Sequence, residues 1–260
     1  MRPGRILFFI LIAVLAIAGF GALGMRAARD KTSNVFEIQP GLYGAKSGGG
    51  IYLFAARTGG SAVLFDTGAD PHAKPVDALL GPAGLSRSNV HEIFLTHGHF
   101  DHVAGVASLP GAKVHLGLAD VGLAAGTTAP EALATKVLAL AMQPEPIKAT
   151  DPITDRQTIA IGEGKTVKAI PMPGHTPGSY AFLYDGVLFV GDTMIFKEGR
   201  LETTPGIFDP HPEENRAAIR ALKTQLVADP VETVCTAHGG CTPKGLGRNL
   251  LDDLISRVGG

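Results

Sequence analysis

The heptapeptide Thr96-His97-Gly98-His99-Phe100-Asp101-His102 holds four metal-competent side chains within six positions, directly after the apolar run Ile93-Phe94-Leu95. Neutral imidazole and carboxylate are donors suited to zinc and related divalent ions. His97, His99 and Asp101 alternate along the backbone and His102 breaks the alternation, so the four can diverge towards two ions. The bland alternative is a solvated, histidine-rich loop. Three later residues weigh against it: His175 in Pro173-Gly174-His175-Thr176-Pro177-Gly178-Ser179, Asp192 in Gly191-Asp192-Thr193, and His238, each ending an apolar run. The glycines and prolines around them suit tight turns at strand ends.

Taken together, these residues resemble the signature of the metallo-β-lactamase superfamily, and the resemblance runs from about residue 35 to the C-terminus. It implies an αββα sandwich of the α/β class. In it, His97, His99 and His175 would bind a first divalent ion, Asp101, His102 and His238 a second, and Asp192 would bridge the two. Zinc is the first choice of metal, with iron or manganese as alternatives. Asp101 is implied as a catalytic group as well, holding the attacking water and passing a proton to the leaving group. Ala62-Val63-Leu64-Phe65-Asp66-Thr67-Gly68 is similar to the family's first strand-loop motif. There the aspartate supports the metal loops by hydrogen bonding without ligating; an ordinary turn residue is the other reading.

The implied activity is hydrolysis of a small ester, thioester or lactone by water activated between two metals. Asp192 points away from β-lactam hydrolysis, because the true β-lactamases carry cysteine or serine at that place. Gly191-Asp192-Thr193-Met194-Ile195-Phe196, followed by Gly199-Arg200, is closest to the glyoxalase II pattern. Two departures matter. The sequence ends soon after His238, where glyoxalase II adds a helical region that holds glutathione, and Ile195 stands where lactonases usually present a tyrosine. Neither Tyr180 nor Tyr184 can be assigned that tyrosine's role. Three other readings stay open: a mononuclear iron oxygenase resembling persulfide dioxygenases, with His97, His175 and Asp192 as ligands; a phosphodiesterase; and a non-catalytic metal-binding module.

The elements that must position these residues read as α/β from periodicity alone. β-rich runs occupy residues 35–38, 50–55, 62–66, 91–95 and 113–115, then 157–161, 167–172, 180–184, 187–190 and 231–236. Helical patterns lie at 73–80, 102–109, 212–227 and 242–258. Pro212 with Glu213 and Glu214 suits a helix start. Residues 116–152 show no strand character and read as helices at 117–125 and 130–142, serving either as a roof over the site or as packing on a sheet.

The 260-residue chain has a net charge of −1, and the acidic excess grows once residues 1–30 are set aside, which is not the balance of a nucleic-acid binder. The expected partner is a small-molecule substrate. Residues 6–25 carry no charge, lie between Arg5 and Arg26, and are long enough to span a bilayer core as a helix. Residues 1–30 therefore read as a signal anchor or a signal peptide, with the anchor preferred, and 31–260 as one hydrolase domain. That places the catalytic domain outside the cytoplasm, tethered to a membrane if the segment is uncleaved. Arg26, Arg29 and Lys31 weaken the charge asymmetry that would fix orientation. Cys235 and Cys241 are the only cysteines, too few for a disulfide framework. They read as two ordinary small residues in preference to a disulfide or a thiolate ligand. His72, His91, His115 and His211 fall outside the set and read as surface or packing residues, His211 in a turn that leads a helix.

Overall fold

Strands β4 (Ser61–Phe65) and β5 (Val90–Phe94) bury nearly every residue, as strands covered on both faces must. In the computed structural model, which describes residues 31–33, 35–142 and 145–259, they lie at the centre of a seven-stranded sheet. Its order is β1 (Phe36–Gln39), β2 (Leu42–Lys46), β3 (Tyr52–Thr58), β4, β5, β6 (Lys113–Gly117) and β7 (Asp151–Ile153). The first four strands form an antiparallel meander; β4 through β7 are parallel.

The second sheet takes in β8 (Gln157–Ala160), β9 (Thr166–Pro171), β10 (Tyr180–Tyr184), β11 (Val187–Phe189), β14 (Thr233–Thr236) and β15 (Gly240–Cys241). A separate hairpin, β12 (Met194–Lys197) with β13 (Arg200–Thr203), follows β11. The two sheets face each other over a core of Phe54, Phe65 and Phe94 from one and Phe182, Tyr184 and Phe189 from the other. Phe65 stacks on Phe189 with ring centroids 3.9 Å apart. Truncating such a ring to alanine costs about 3–5 kcal/mol.

Helix α1 (Lys74–Leu80) packs its Val76, Leu79 and Leu80 against the outer face of the first sheet. Helices α5 (Pro212–Gln225) and α6 (Gly247–Val258) cover the second through Ile219, Leu222, Leu251 and Leu254. The layering is therefore helix, sheet, sheet, helix. Three short helices lie towards the site edge: α2 (Phe100–Val103), α3 (Val121–Ala124) and α4 (Leu133–Met142). Among the described residues no helix is long and apolar enough to cross a membrane; the apolar segment 6–25 lies outside them.

Strand direction gathers the site. Because β9 and β11 both run antiparallel to β10, they are parallel to each other, and β14 is parallel to β11. The loops leaving β9, β11 and β14 thus emerge at one edge, and they carry His175, Asp192 and His238. Those leaving β4 and β5 in the other sheet carry Asp66 and residues 96–102. The edges are joined where Tyr180 N–H donates to the Thr96 carbonyl at 2.8 Å and Tyr52 N–H to the Ala237 carbonyl at 2.8 Å.

Three sequence expectations change. The helix expected over 102–109 stops at Val103 and continues as a 3-10 stretch. The His102 carbonyl that would extend it accepts instead from the Thr67 backbone N–H and hydroxyl, at 2.8 and 2.9 Å. Residues 116–152 do contain strand: β6 reaches Gly117, and Asp151–Ile153 pairs with it as an edge strand too short to show a period. Cys235 and Cys241 face each other across β14 and β15 and form a disulfide. Antiparallel register, which spacing alone does not reveal, brings them together.

Candidate metal centre

Asp66 follows β4 in a left-handed conformation, φ 58°, which a short polar side chain tolerates better than most. Its buried carboxylate accepts from Thr96 N–H at 2.8 Å, from the Thr96 hydroxyl at 2.9 Å, and from His102 Nδ1 at 2.8 Å. The last bond fixes the His102 tautomer and leaves Nε2 free to face Asp192 Oδ1 across 3.5 Å. That separation is too long for a strong hydrogen bond. Burial opposes the charged His102 ring, but Asp66 and Asp192 outweigh it and hold its pKa well above the usual value.

On the other side three imidazoles converge. His97 Nε2 lies 2.8 Å from His99 Nδ1, which lies 3.1 Å from His175 Nε2. All three are buried, and burial lowers their pKa values: His97 well below normal, His99 lowered, His175 to about 3. They are therefore neutral, the form in which imidazole donates a lone pair to a metal.

Asp192 stands between the two sides. Its Oδ2 is 3.7 Å from His175 Nε2 and 3.3 Å from His238 Nε2, while Oδ1 faces His102. Burial would raise its carboxyl pKa, yet His238 and His102 hold it well below the usual range. The negative Asp192 raises the pKa of His238, against its burial. Asp101 Oδ2 approaches His238 Nε2 at 3.8 Å. Donor atoms thus cluster within 4.8 Å of one another in three groups: His97, His99 and His175; His97, His102 and Asp192; and Asp101, His102 and His238. His102 Nε2, His175 Nδ1 and Asp192 Oδ1 are buried without any hydrogen-bond partner. Buried polar atoms are ordinarily satisfied, so convergent neutral nitrogens beside such orphaned atoms fit divalent cations. All seven residues named from the sequence come together here.

Sequence reasoning missed Asp120. Its buried carboxylate accepts from Gly98 N–H at 2.7 Å, the Thr176 hydroxyl at 2.7 Å and Gly178 N–H at 2.8 Å. It ties the His97–His99 loop to the His175 loop. A Cβ at Gly178 would lie 2.5 Å from the Asp120 backbone nitrogen, so only glycine lets the loops approach this closely. Asp120 lies in a stretch that reads as helix, and no local pattern distinguishes it. Thr204 at the end of the β12–β13 hairpin bonds the Asp192 carbonyl. Asn215 of α5 donates to the Thr193 carbonyl at 3.2 Å, bracing the same loop.

The candidate donors open into a cavity of about 800 Å³. Thr135, Leu138 and Ala139 of α4 line it, so the segment left open between roof and packing element is a roof. The disulfide sits within the hairpin that carries His238 and removes both thiols from the donor set. His115 is a packing residue, stacked on Phe94 and bonded to Glu92 at 2.7 Å. His211 bonds Glu131 at 2.6 Å and does not line the cavity.

Residues 48–238 match the family model described as Metallo-beta-lactamase superfamily. A hydroxyacylglutathione hydrolase of Anaeromyxobacter dehalogenans is 31% identical over 145 residues, 56% of this chain and 46% of that protein. Another, from Methylobacillus flagellatus, is 32% identical over 157 residues, 60% of this chain and 52% of its own length. The chain thus spans about half the length of these curated relatives. Among solved structures, a metallo-beta-lactamase from Pontibacter korlensis superposes with a TM-score of 0.64 at 18% identity, covering 88% of this chain and all of that one. Likeness at that identity speaks to fold alone.

Proposed function

The chain belongs to the metallo-beta-lactamase superfamily, and from that premise we propose that it is a hydrolase of small esters, thioesters or lactones that works with two divalent ions. The observation that carries this reading is Asp192, whose carboxylate lies between the two histidine groups, 3.7 Å from His175 on one side and 3.5 and 3.3 Å from His102 and His238 on the other. His97, His99 and His175 would hold one ion and Asp101, His102 and His238 the other, with Asp192 shared. Imidazole with carboxylate favours zinc, ahead of iron or manganese. Once bound, such a pair supplies Lewis-acid polarisation of a substrate oxygen and an activated water at neutral pH.

The chain's own residues do the rest. Burial keeps the first three imidazoles neutral, and Asp66 locks His102 in the donor tautomer. Asp101 lines the cavity beside His238, where its carboxyl can take up a proton and return it to a leaving oxygen or sulfur. The α4 roof limits access of bulk water. The hydroxyacylglutathione hydrolase relatives make a thioester one reasonable substrate. A membrane tether at residues 6–25, with the catalytic part outside the cytoplasm, is proposed alongside; resistance of membrane-bound chain to alkaline carbonate extraction would support it, and full release would refute it.

Metal analysis tests the central reading. Carefully prepared protein is expected to carry close to two transition-metal ions per chain and to lose ester hydrolysis on chelation, with zinc, manganese or iron restoring it. Fewer than one ion per chain and no restored activity would sink it.

A further inference from the structure

Beyond the metal-facing wall, the 800 Å³ cavity is lined by Leu123, Ala124, Leu138, Ala139, Ile195 and Phe208. No lysine or arginine lines it among the described residues; away from the candidate metal donors its one formal charge is the carboxylate of Glu145. A second groove of about 1120 Å³ adjoins it and shares Leu138 and Phe208 as a common wall. This groove too carries only acidic charge, Glu131 and Asp209, and its lips present Leu133 and Ile207, 76% and 68% exposed. The bond from His211 to Glu131 links the groove's two sides, the approach to α4 and the start of α5.

Resting on the hydrolase reading, we infer that the substrate is an acyl compound with an uncharged, extended apolar chain that runs beneath α4, past Leu138 and Phe208, towards the second groove. Leu138 and Phe208 are then specificity-determining residues. An acyl chain of this kind replaces water along an apolar wall, each buried methylene contributing a factor of about three to four in binding. An anionic chain end, or a thiol carrier bearing carboxylates, would lie away from the bound ions, would meet Glu145, Glu131 and Asp209 with no lysine or arginine to receive it, and would be desolvated at a cost. Leu133 and Ile207 stand where the far end of a long chain would cover them.

The test uses the full chain loaded with zinc. The substrates are p-nitrophenyl esters from acetate to dodecanoate, esters of matched length ending in a carboxylate, and S-lactoylglutathione. The expected result is a kcat/KM that climbs about three- to fourfold per methylene through the middle of the series and falls at least about tenfold when the chain end carries a carboxylate. Leu138→Trp, which narrows the passage between the grooves, should flatten the dependence on chain length, with metal content and melting temperature recording whether that variant is folded. Phe208→Ala tests the same wall by widening it, and should lengthen the best chain. A flat series in the unmodified protein, or preference for S-lactoylglutathione or the carboxylate-ended esters, overturns the inference and leaves the hydrolase standing. No hydrolysis of any ester by protein holding two metals overturns both.

Discussion

The two sides of the candidate metal centre push the protonation of their histidines in opposite directions. The side made by His97, His99 and His175 is buried, and burial, helped by repulsion from neighbouring histidines, lowers the pKa of its imidazoles. The side made by Asp101, His102 and His238 is partly open, with the His238 side chain 37% exposed, and nearby carboxylates draw protons onto its histidines. A closed site of neutral nitrogens should retain an ion. An open site where protons compete should exchange one. Asp192 is the residue the two sides share.

Asp192→Asn breaks the comparison most severely, because it takes charge from both sides at once. Hydrolytic kcat should fall by about a thousandfold or more, and metal content should drop; an unaltered rate would show the carboxylate to be idle. Unequal truncations come next. His175→Ala should lose the ion of the buried side and nearly all activity, whereas His238→Ala should still bring about one ion per chain through dialysis. Equal losses in the two variants would erase the distinction.

Smaller effects should follow from the supports. Asp66→Asn is expected to weaken metal binding about 10–100-fold, chiefly for the more weakly held ion, since Asp66 orients His102. Asp120→Asn should act on the tightly held ion instead, since Asp120 ties the loops of His97, His99 and His175. Competitive chelator titration resolves the two ions, and the same ion weakening in both variants would contradict the assignment of supports to sides.

Smallest is a pH effect in metal-free protein. Lowered pKa values at His97, His99 and His175 mean that the unfolded chain takes up protons which the folded chain refuses. Their contribution to stability is lost as pH falls from 6.5 towards about 3, the value at His175. Raised values at His102 and His238 give the reverse: a contribution complete below 6.5 and lost as pH rises through them. Urea midpoints of metal-free protein should therefore peak near pH 6.5. A midpoint that climbs steadily from pH 5 to 8.5 would show that the open side does not hold its protons.

What could be read beforehand follows a physical division. His97, His99, Asp101 and His102 crowd into one loop after a single apolar run, and His175, Asp192 and His238 each end a run of their own, so all seven candidate donors were legible from composition and spacing. Asp120 was not, because its importance lies in accepting three bonds from two distant loops, and a lone acidic residue in a helix-like stretch carries no such sign. The Cys235–Cys241 pairing depended on register. Strand β7 is three residues long and borrows its conformation from β6, while the α2 boundary was decided by a threonine 35 residues earlier in the chain. Local pattern pointed to the candidate donors; contacts between remote segments set their supports.

The parallel course of β9, β11 and β14 also bears on biosynthesis. The loop of His97 to His102 leaves the ribosome long before the strand that precedes His238, an interval of roughly seven to twenty-six seconds at ordinary elongation speeds. Until that strand docks beside β11, the emerging chain holds at most part of the donor set. A truncated or stalled product would thus be catalytically silent, and hydrolytic capacity would arise only with the last parallel strand in place.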